Sequence, residues 1–145
     1  MVMIDVSEKA AILREATASG IIHLKPETIK YIQEGKTVKG NPLDTAKIAA
    51  VLAAKKTSEL IPLCHPLPLT NVEVFSKVIN ETSIEVLVTV KTRAQTGVEM
   101  EALSAVSIAL LTIWDMTKQY EKDADGQYPS TAIQNVHVVR KYKQV

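Results

Sequence analysis

Between Thr70 and Arg93 apolar and polar residues alternate at a period of two, and this stretch constrains the fold more than any other. Val72, Val74 and Val78 share one strand face and Ile84, Val86, Val88 and Val90 share another, with Asn80-Glu81-Thr82 as a turn between them. Residues 70–93 therefore read as a β-hairpin. From Gly97 to about Tyr120 the period changes to that of a helix. Ala102, Ala105, Val106, Ala109, Ile113 and Met116 form one stripe, and Leu103, Leu110 and Trp114 form a neighbouring one. An apolar arc this wide predicts burial on two sides, against the sheet and against a second subunit.

The remaining elements fall around these two. Ile12 to Leu24 fits a strand or a helix, and Ile21, Ile22 and His23 at its end favour the strand. Pro26 at a first helical position and Gly35 as terminator frame a short helix, Pro26 to Glu34. Pro42 opens a longer helix to about Thr57, where Ala46, Ala49, Ala50, Ala53 and Ala54 permit close approach to whatever it covers. A last strand has Val136 and Val138 on one face and Val139 on the other. The order β-α-α-β-β-α-β predicts an α+β domain of ferredoxin-like type, an antiparallel sheet with helices on one face. No linker, repeat or low-complexity tract divides the 145 residues, so residues 1–145 are expected to form one domain.

Such a fold hosts RNA-binding modules, ligand sensors and enzymes alike, so function must come from sites. Seventeen Lys and Arg against sixteen Asp and Glu leave a net charge of +1, which argues against nucleic acid as the main partner but leaves room for a local anion site. An RNA reader would want stacking aromatics on its central strands, whereas the hairpin offers Phe75 and the chain is 4% aromatic. Cys64 is the lone cysteine, which excludes an intramolecular disulfide and a cysteine zinc cage and fits a reducing compartment. Met1 to Ile4 meets Asp5 without a basic stretch leading into an apolar one. The longest uninterrupted apolar run, Ile48 to Ala54, is too short to span a bilayer. A cytoplasmic protein without membrane contact is expected.

Four regions carry candidate chemistry. His65 stands between Pro62-Leu63-Cys64 and Pro66 in a stiff loop that can hold an imidazole toward a substrate, or simply bond it to a carbonyl. Cys64 beside it reads better as a small buried hydrophobe than as a nucleophile, because neighbours in an extended segment point apart. His23 and His137 lie within strand patterns and read as structural. Asp115 and Lys118 adjoin at a spacing of three on a helix, and such a pair can hold a carboxylate ionised beside an ammonium or be an ordinary surface contact. The flanking Trp114 and Met116 point toward burial of that pair, which makes it more suggestive of function. Glu99 and Glu101, two apart, should serve different surroundings or lie where the helix is just beginning, and one of them can serve as an anionic first-turn residue. Glu101 and Asp115 lie fourteen positions apart, about 21 Å along a helix, so they converge only if two such helices pack antiparallel across a two-fold axis. Lys39 before Gly40, and Arg14, are phosphate-binding candidates or solvent-facing cations.

Several stretches together carry a resemblance. They are Asp5-Val6-Ser7-Glu8-Lys9, Arg14-Glu15-Ala16, Lys39-Gly40, Ile61 to Leu67, Thr96 to Leu103 and Asp115-Met116-Thr117-Lys118. In order and approximate spacing, from about residue 5 to 123, the chain resembles the cyclic pyranopterin monophosphate synthase family, the C proteins of molybdenum cofactor biosynthesis. The resemblance implies a lyase that rearranges a cyclised dihydroguanosine triphosphate into cyclic pyranopterin monophosphate and releases diphosphate. It also implies hexamers built as trimers of dimers, with the pocket at the dimer interface. Carried onto this sequence, it makes Asp115 the catalytic carboxylate with Lys118 as its partner. Leu63, Cys64, His65, Met100 and Glu101 become substrate contacts.

The reaction opens a purine-derived ring, forms a pyrazine and closes a cyclic phosphate, which requires several proton transfers and positive charge around a triphosphate. Asp115 and Lys118 suit proton transfer, Lys39 and Arg14 phosphate stabilisation or proton delivery, and His65 and Glu101 positioning of the ring, with Glu99 beside them. No ligand cluster calls for a protein-bound metal, and Mg²⁺ on the phosphates would be ordinary chemistry. The chain departs from the family after about Asp123. Many members end in a glycine- and lysine-rich segment, whereas here Asp125-Gly126-Gln127-Tyr128-Pro129 leads to a basic end in which Arg140, Lys141 or Lys143 can stand in or merely be exposed. A ligand-sensing domain without catalysis is the competing reading.

Overall fold

The computed structural model describes residues 1–145. Seven elements follow in the expected order: β1 (Ile12–His23), α1 (Pro26–Gln33), α2 (Pro42–Leu60), β2 (Leu69–Asn80), β3 (Ser83–Ala94), α3 (Glu99–Glu121) and β4 (Ala132–Lys143). The strands form one antiparallel sheet in the order β2-β3-β1-β4, and the fold is an α+β arrangement of ferredoxin-like type. The ambiguous first segment is a strand, paired with β3 from Ile12 opposite Ala94 to His23 opposite Ser83. Its even-numbered residues Ala16, Ala18 and Ile22 share a face with Val90, Val88 and Ile84 and are buried under the helices. One core of 21 buried residues draws on the helices and the sheet together.

Helix α3 packs on β1, β3 and β4 with one side and on α2 with another. Of the wide apolar arc, one side thus meets the sheet as expected, and α2 covers a further part of it within the chain. The alanine-rich side of α2 does so, with Ala46, Ala50, Ala53 and Ala54 buried. Small side chains let the two helices approach while filling little volume, as the alanine pattern implied. Gly20 does the same where α3 crosses β1. A Cβ there would lie 2.7 Å from Leu110 Cδ1 and 2.8 Å from Val106 Cγ1. Alanine at 20 would force those side chains off their rotamers, at a cost of about 1–3 kcal/mol. By length and composition α3 could also cross a membrane, yet half of its most apolar window is buried within this fold.

Two boundaries differ from expectation. Helix α2 runs on to Leu60, and α3 begins at Glu99 after Val98 in the cap position. In β4, Asn135 takes a positive φ of 57°, and the pairing with β1 shifts register across it, between Gln134 and His137, and again at Val139. Asparagine tolerates that left-handed conformation better than most residues. Beyond this bulge Lys141 pairs with Ala16, so the two share a face, the side of the sheet that carries the helices.

Candidate active site

Two groups of candidate residues sit at opposite ends of α3. The first gathers at its N-terminal end around a cavity of ≈ 390 Å³ lined by Leu63, Cys64, His65, Gly97, Glu99 and Met100, among others. The loop of residues 61–68 is held where it is by local contacts. Cys64 N–H donates to Ile61 O at 3.1 Å, and Thr92 Oγ1 donates to Pro68 O at 2.6 Å. His65 Nε2 donates to the carbonyl of Ile4 at 2.6 Å, so the imidazole is tied to the N-terminal arm. Cys64 is half-buried and its Sγ lies 3.8 Å from Glu101 Oε2. Burial first, then the Glu101 charge, pushes the thiol up from its ordinary value, which leaves it protonated and a poor nucleophile.

Glu99 and Glu101 serve different surroundings, as expected from their spacing. Glu99 leans outward to Lys141 Nζ at 2.6 Å. Burial works to raise its carboxyl, but the Lys141 hydrogen bond and charge and the Arg14 charge outweigh it, so the group stands below the ordinary value. Glu101 turns inward and is 3% exposed. Burial pushes its carboxyl up against the weaker opposing pull of its backbone N–H and Cys64. Lys141 is thus the member of the basic C-terminal stretch that reaches the cavity, while Arg140 stacks over Tyr142 with its guanidinium 5.8 Å from the ring.

Arg14 is not the solvent-facing cation that its sequence position allowed. It is buried, its Nε donates to Ala94 O at 3.0 Å, and its Nη2 donates to Gln95 O at 3.2 Å. These bonds fix the loop from β3 into α3 and so set Gly97 and Glu99 beside the cavity. The guanidinium acts there as a strut with a charge that Glu99 feels.

The second group lies toward the C-terminal end of α3. Asp115 Oδ1 accepts from Lys118 Nζ at 3.0 Å, and Lys39 Nζ stands 3.5 Å from Oδ2 while donating to Asp115 O at 3.0 Å. Lys39 comes from a turn 76 residues away in sequence, so this triad is a tertiary feature. The Lys118 hydrogen bond and charge, then the Lys39 charge, hold the Asp115 carboxyl below its ordinary value. The same bond and charge raise Lys118. The expected burial of this pair is corrected: Asp115 is 61% exposed. A step of 100° per residue turns it away from both Met116, which is buried, and Trp114, which is half-buried. The triad opens onto a groove of ≈ 500 Å³ lined by Leu111, Trp114, Asp115, Lys118 and Tyr128. The Trp114 and Tyr128 rings meet edge to face at 5.1 Å.

Sequence reasoning did not anticipate the roles of Tyr128, Tyr120 or the Ile4 carbonyl, because each acts across a long loop or a tertiary contact that no local spacing encodes. Within one chain the cavity and the triad do not meet. Glu101 and Asp115 sit on one unbroken helix, about 21 Å apart at 1.5 Å per residue.

A model of the MoaC family matches residues 3–143. The chain belongs to that family. It is 56% identical over 142 residues to a Thermococcus onnurineus protein named probable cyclic pyranopterin monophosphate synthase, covering 98% of this chain and 90% of the relative. A Saccharolobus solfataricus protein of the same name is 54% identical over 142 residues, 98% of this chain and 95% of that one. A Methanothermobacter thermautotrophicus protein, named probable cyclic pyranopterin monophosphate synthase accessory protein, is 55% identical over 141 residues, 97% and 88% of the two. Membership of the MoaC family puts both ends of α3 among matched residues, cavity and triad alike.

Proposed function

We propose that this MoaC family chain is a cyclic pyranopterin monophosphate synthase. In that role it is a lyase of molybdenum cofactor biosynthesis that converts a cyclised dihydroguanosine triphosphate into cyclic pyranopterin monophosphate and diphosphate. The names of relatives that match nearly the whole chain support the activity. The observation that carries the chemistry is the Lys39–Asp115–Lys118 triad, an ionised carboxylate held between two ammonium groups. Asp115 takes up and returns protons during ring opening and pyrazine formation. Lys118 and Lys39 stabilise charge on the phosphate that closes the ring and on the departing diphosphate. At the other end, His65, Leu63, Cys64, Met100 and Glu101 hold the purine-derived ring, and Glu99 with Lys141 borders the same cavity. Arg14 acts through the loop it fixes.

One chain keeps these halves apart, so the working site combines the cavity of one subunit with the triad of another across a two-fold axis. Exposed apolar side chains along the outer helix surface, Ile48, Leu52, Leu60, Met100 and Leu111, support such a contact. A hexamer made of three such dimers, in the cytoplasm, completes the reading. Mg²⁺ enters on the substrate phosphates.

The test is incubation with the cyclised dihydroguanosine triphosphate, following diphosphate release and pterin fluorescence after oxidation, with Asp115→Asn alongside. Wild-type turnover is expected, and the variant should lose about 10²–10⁴-fold in kcat while keeping its fold. No product from a well-folded oligomer would overturn the enzyme reading in favour of ligand sensing.

A further inference from the structure

Lys39 reaches Asp115 from the turn between α1 and α2, and that turn has little of its own to hold it against α3. Its internal bonds are local. Lys36 N–H donates to Tyr31 O at 2.8 Å, Gly40 N–H to Thr37 O at 3.2 Å, and Thr37 Oγ1 to Gly40 O at 2.5 Å. The Val38 side chain is 81% exposed and packs against nothing that would anchor it. One bond clamps the backbone of the turn to α3: Val38 N–H donates to Tyr120 Oη at 2.8 Å. Tyr120 is itself braced, because its ring meets that of Tyr31 edge to face at 5.1 Å. Tyr31 belongs to α1 and Tyr120 to α3, so the ring pair ties the two helices while the hydroxyl reaches across to the turn.

We propose that Tyr120 is a positioning residue for Lys39, its hydroxyl fixing the adjacent Val38 amide so that the Lys39 ammonium stays on Asp115. The proposal rests on the triad having the catalytic role given above. A lysine on an exposed turn has many rotamers and points at its target less of the time if its root wanders, whereas a fixed root leaves only the side chain to order. The tyrosine touches neither substrate nor reacting atoms. Without it the Val38 N–H faces solvent and finds water, so removing the hydroxyl costs the fold little.

Tyr120→Phe keeps the ring pair with Tyr31 and removes the clamp alone. Expected are a kcat about tenfold lower with KM within about twofold, and a melting temperature within about 2 °C of wild type. Combined with Lys39→Ala, the same substitution should add no further loss, since there is no ammonium left to position. In protein labelled with ¹³C at the lysine ε-carbons, with the Lys39 signal assigned from Lys39→Arg, Tyr120→Phe should move the Lys39 signal toward free lysine and leave Lys118 in place. An unchanged kcat in an active protein, or an equal loss with and without Lys39, overturns the proposal. If wild type makes no product, the synthase reading fails by itself. The positioning claim then stands or falls on the labelled spectrum, where an unmoved Lys39 signal sinks it.

Discussion

Glu101 Oε1 is a buried side-chain oxygen without a hydrogen-bond partner in the chain. An ionised carboxylate in that position is costly, and the group responds by holding its proton to higher pH than usual. The folded pKa is raised above the unfolded one, so the folded state gains where the group is protonated and loses that gain as pH rises through the raised value. Glu101→Gln, neutral at every pH, is therefore expected to match wild type in stability at about pH 4 and exceed it by about 1 kcal/mol at about pH 8, read by urea unfolding at each pH. Equal stability at both would mean that the carboxylate is satisfied when ionised. Its place beside Cys64, whose Sγ lies 3.8 Å from Oε2, puts a carboxyl that holds its proton directly behind the cavity wall. The difference between these two acids was only half legible in the sequence. Their spacing gives the separation along the helix, but the apolar neighbours of Asp115 point to burial, and a rotation of 100° per residue defeats that inference.

Between elements, Glu121 at the end of α3 carries the most concentrated set of bonds. Its fully buried carboxylate accepts from Lys25 N–H at 3.0 Å, from the Thr28 hydroxyl, and from Thr131 Oγ1 at 2.6 Å. Helix α1 has no side-chain cap of its own at Lys25, and a carboxylate from α3 fills that place at the positive end of the helix dipole. One residue thus joins α3 to the start of α1 and to the chain entering β4. Glu121→Ala should cost about 3–5 kcal/mol, because three donors lose their acceptor at once, two of them buried, while Glu121→Gln should cost less. Chemical denaturation with coincident fluorescence and circular dichroism transitions measures both. Such a link is invisible in a sequence, where Glu121 looks like any acid at the end of an amphipathic helix. The hairpin of β2 and β3 was legible because its alternation is local. The bulge at Asn135 was not, since it depends on pairing with β1. The alanines of α2 announce a close neighbour without naming it, and the neighbour is α3, so part of the wide apolar arc of α3 is accounted for within the chain.

At the scale of the molecule, the proposed pairing of cavity and triad in one site makes a demand on the assembly. α3 is unbroken from Glu99 to Glu121, so the cavity with His65 and the triad with Asp115 stay about 21 Å apart however the loops adjust. A two-fold axis across the helical layer, with the two α3 helices antiparallel, brings the end of one against the other end of its mate, and each dimer then holds two mixed sites. This arrangement has a consequence that an intrachain site does not share. His65→Ala and Asp115→Asn are each expected to be inactive alone. Co-refolded in equal amounts, they should form mixed dimers in which one site takes its His65 from the Asp115→Asn chain and its Asp115 from the His65→Ala chain, while the other site has neither. Random pairing makes half the dimers mixed with one intact site of two, so activity should return to about a quarter of wild type. Recovery near that level, rising with protein concentration as dimers form, ties catalysis to the pair. If the mixture stays as inactive as its components although size-exclusion chromatography shows exchanged dimers, the two ends of α3 do not share a substrate. The triad would then have to work with groups of its own chain, of which Trp114 and Tyr128 in the adjoining groove are the nearest.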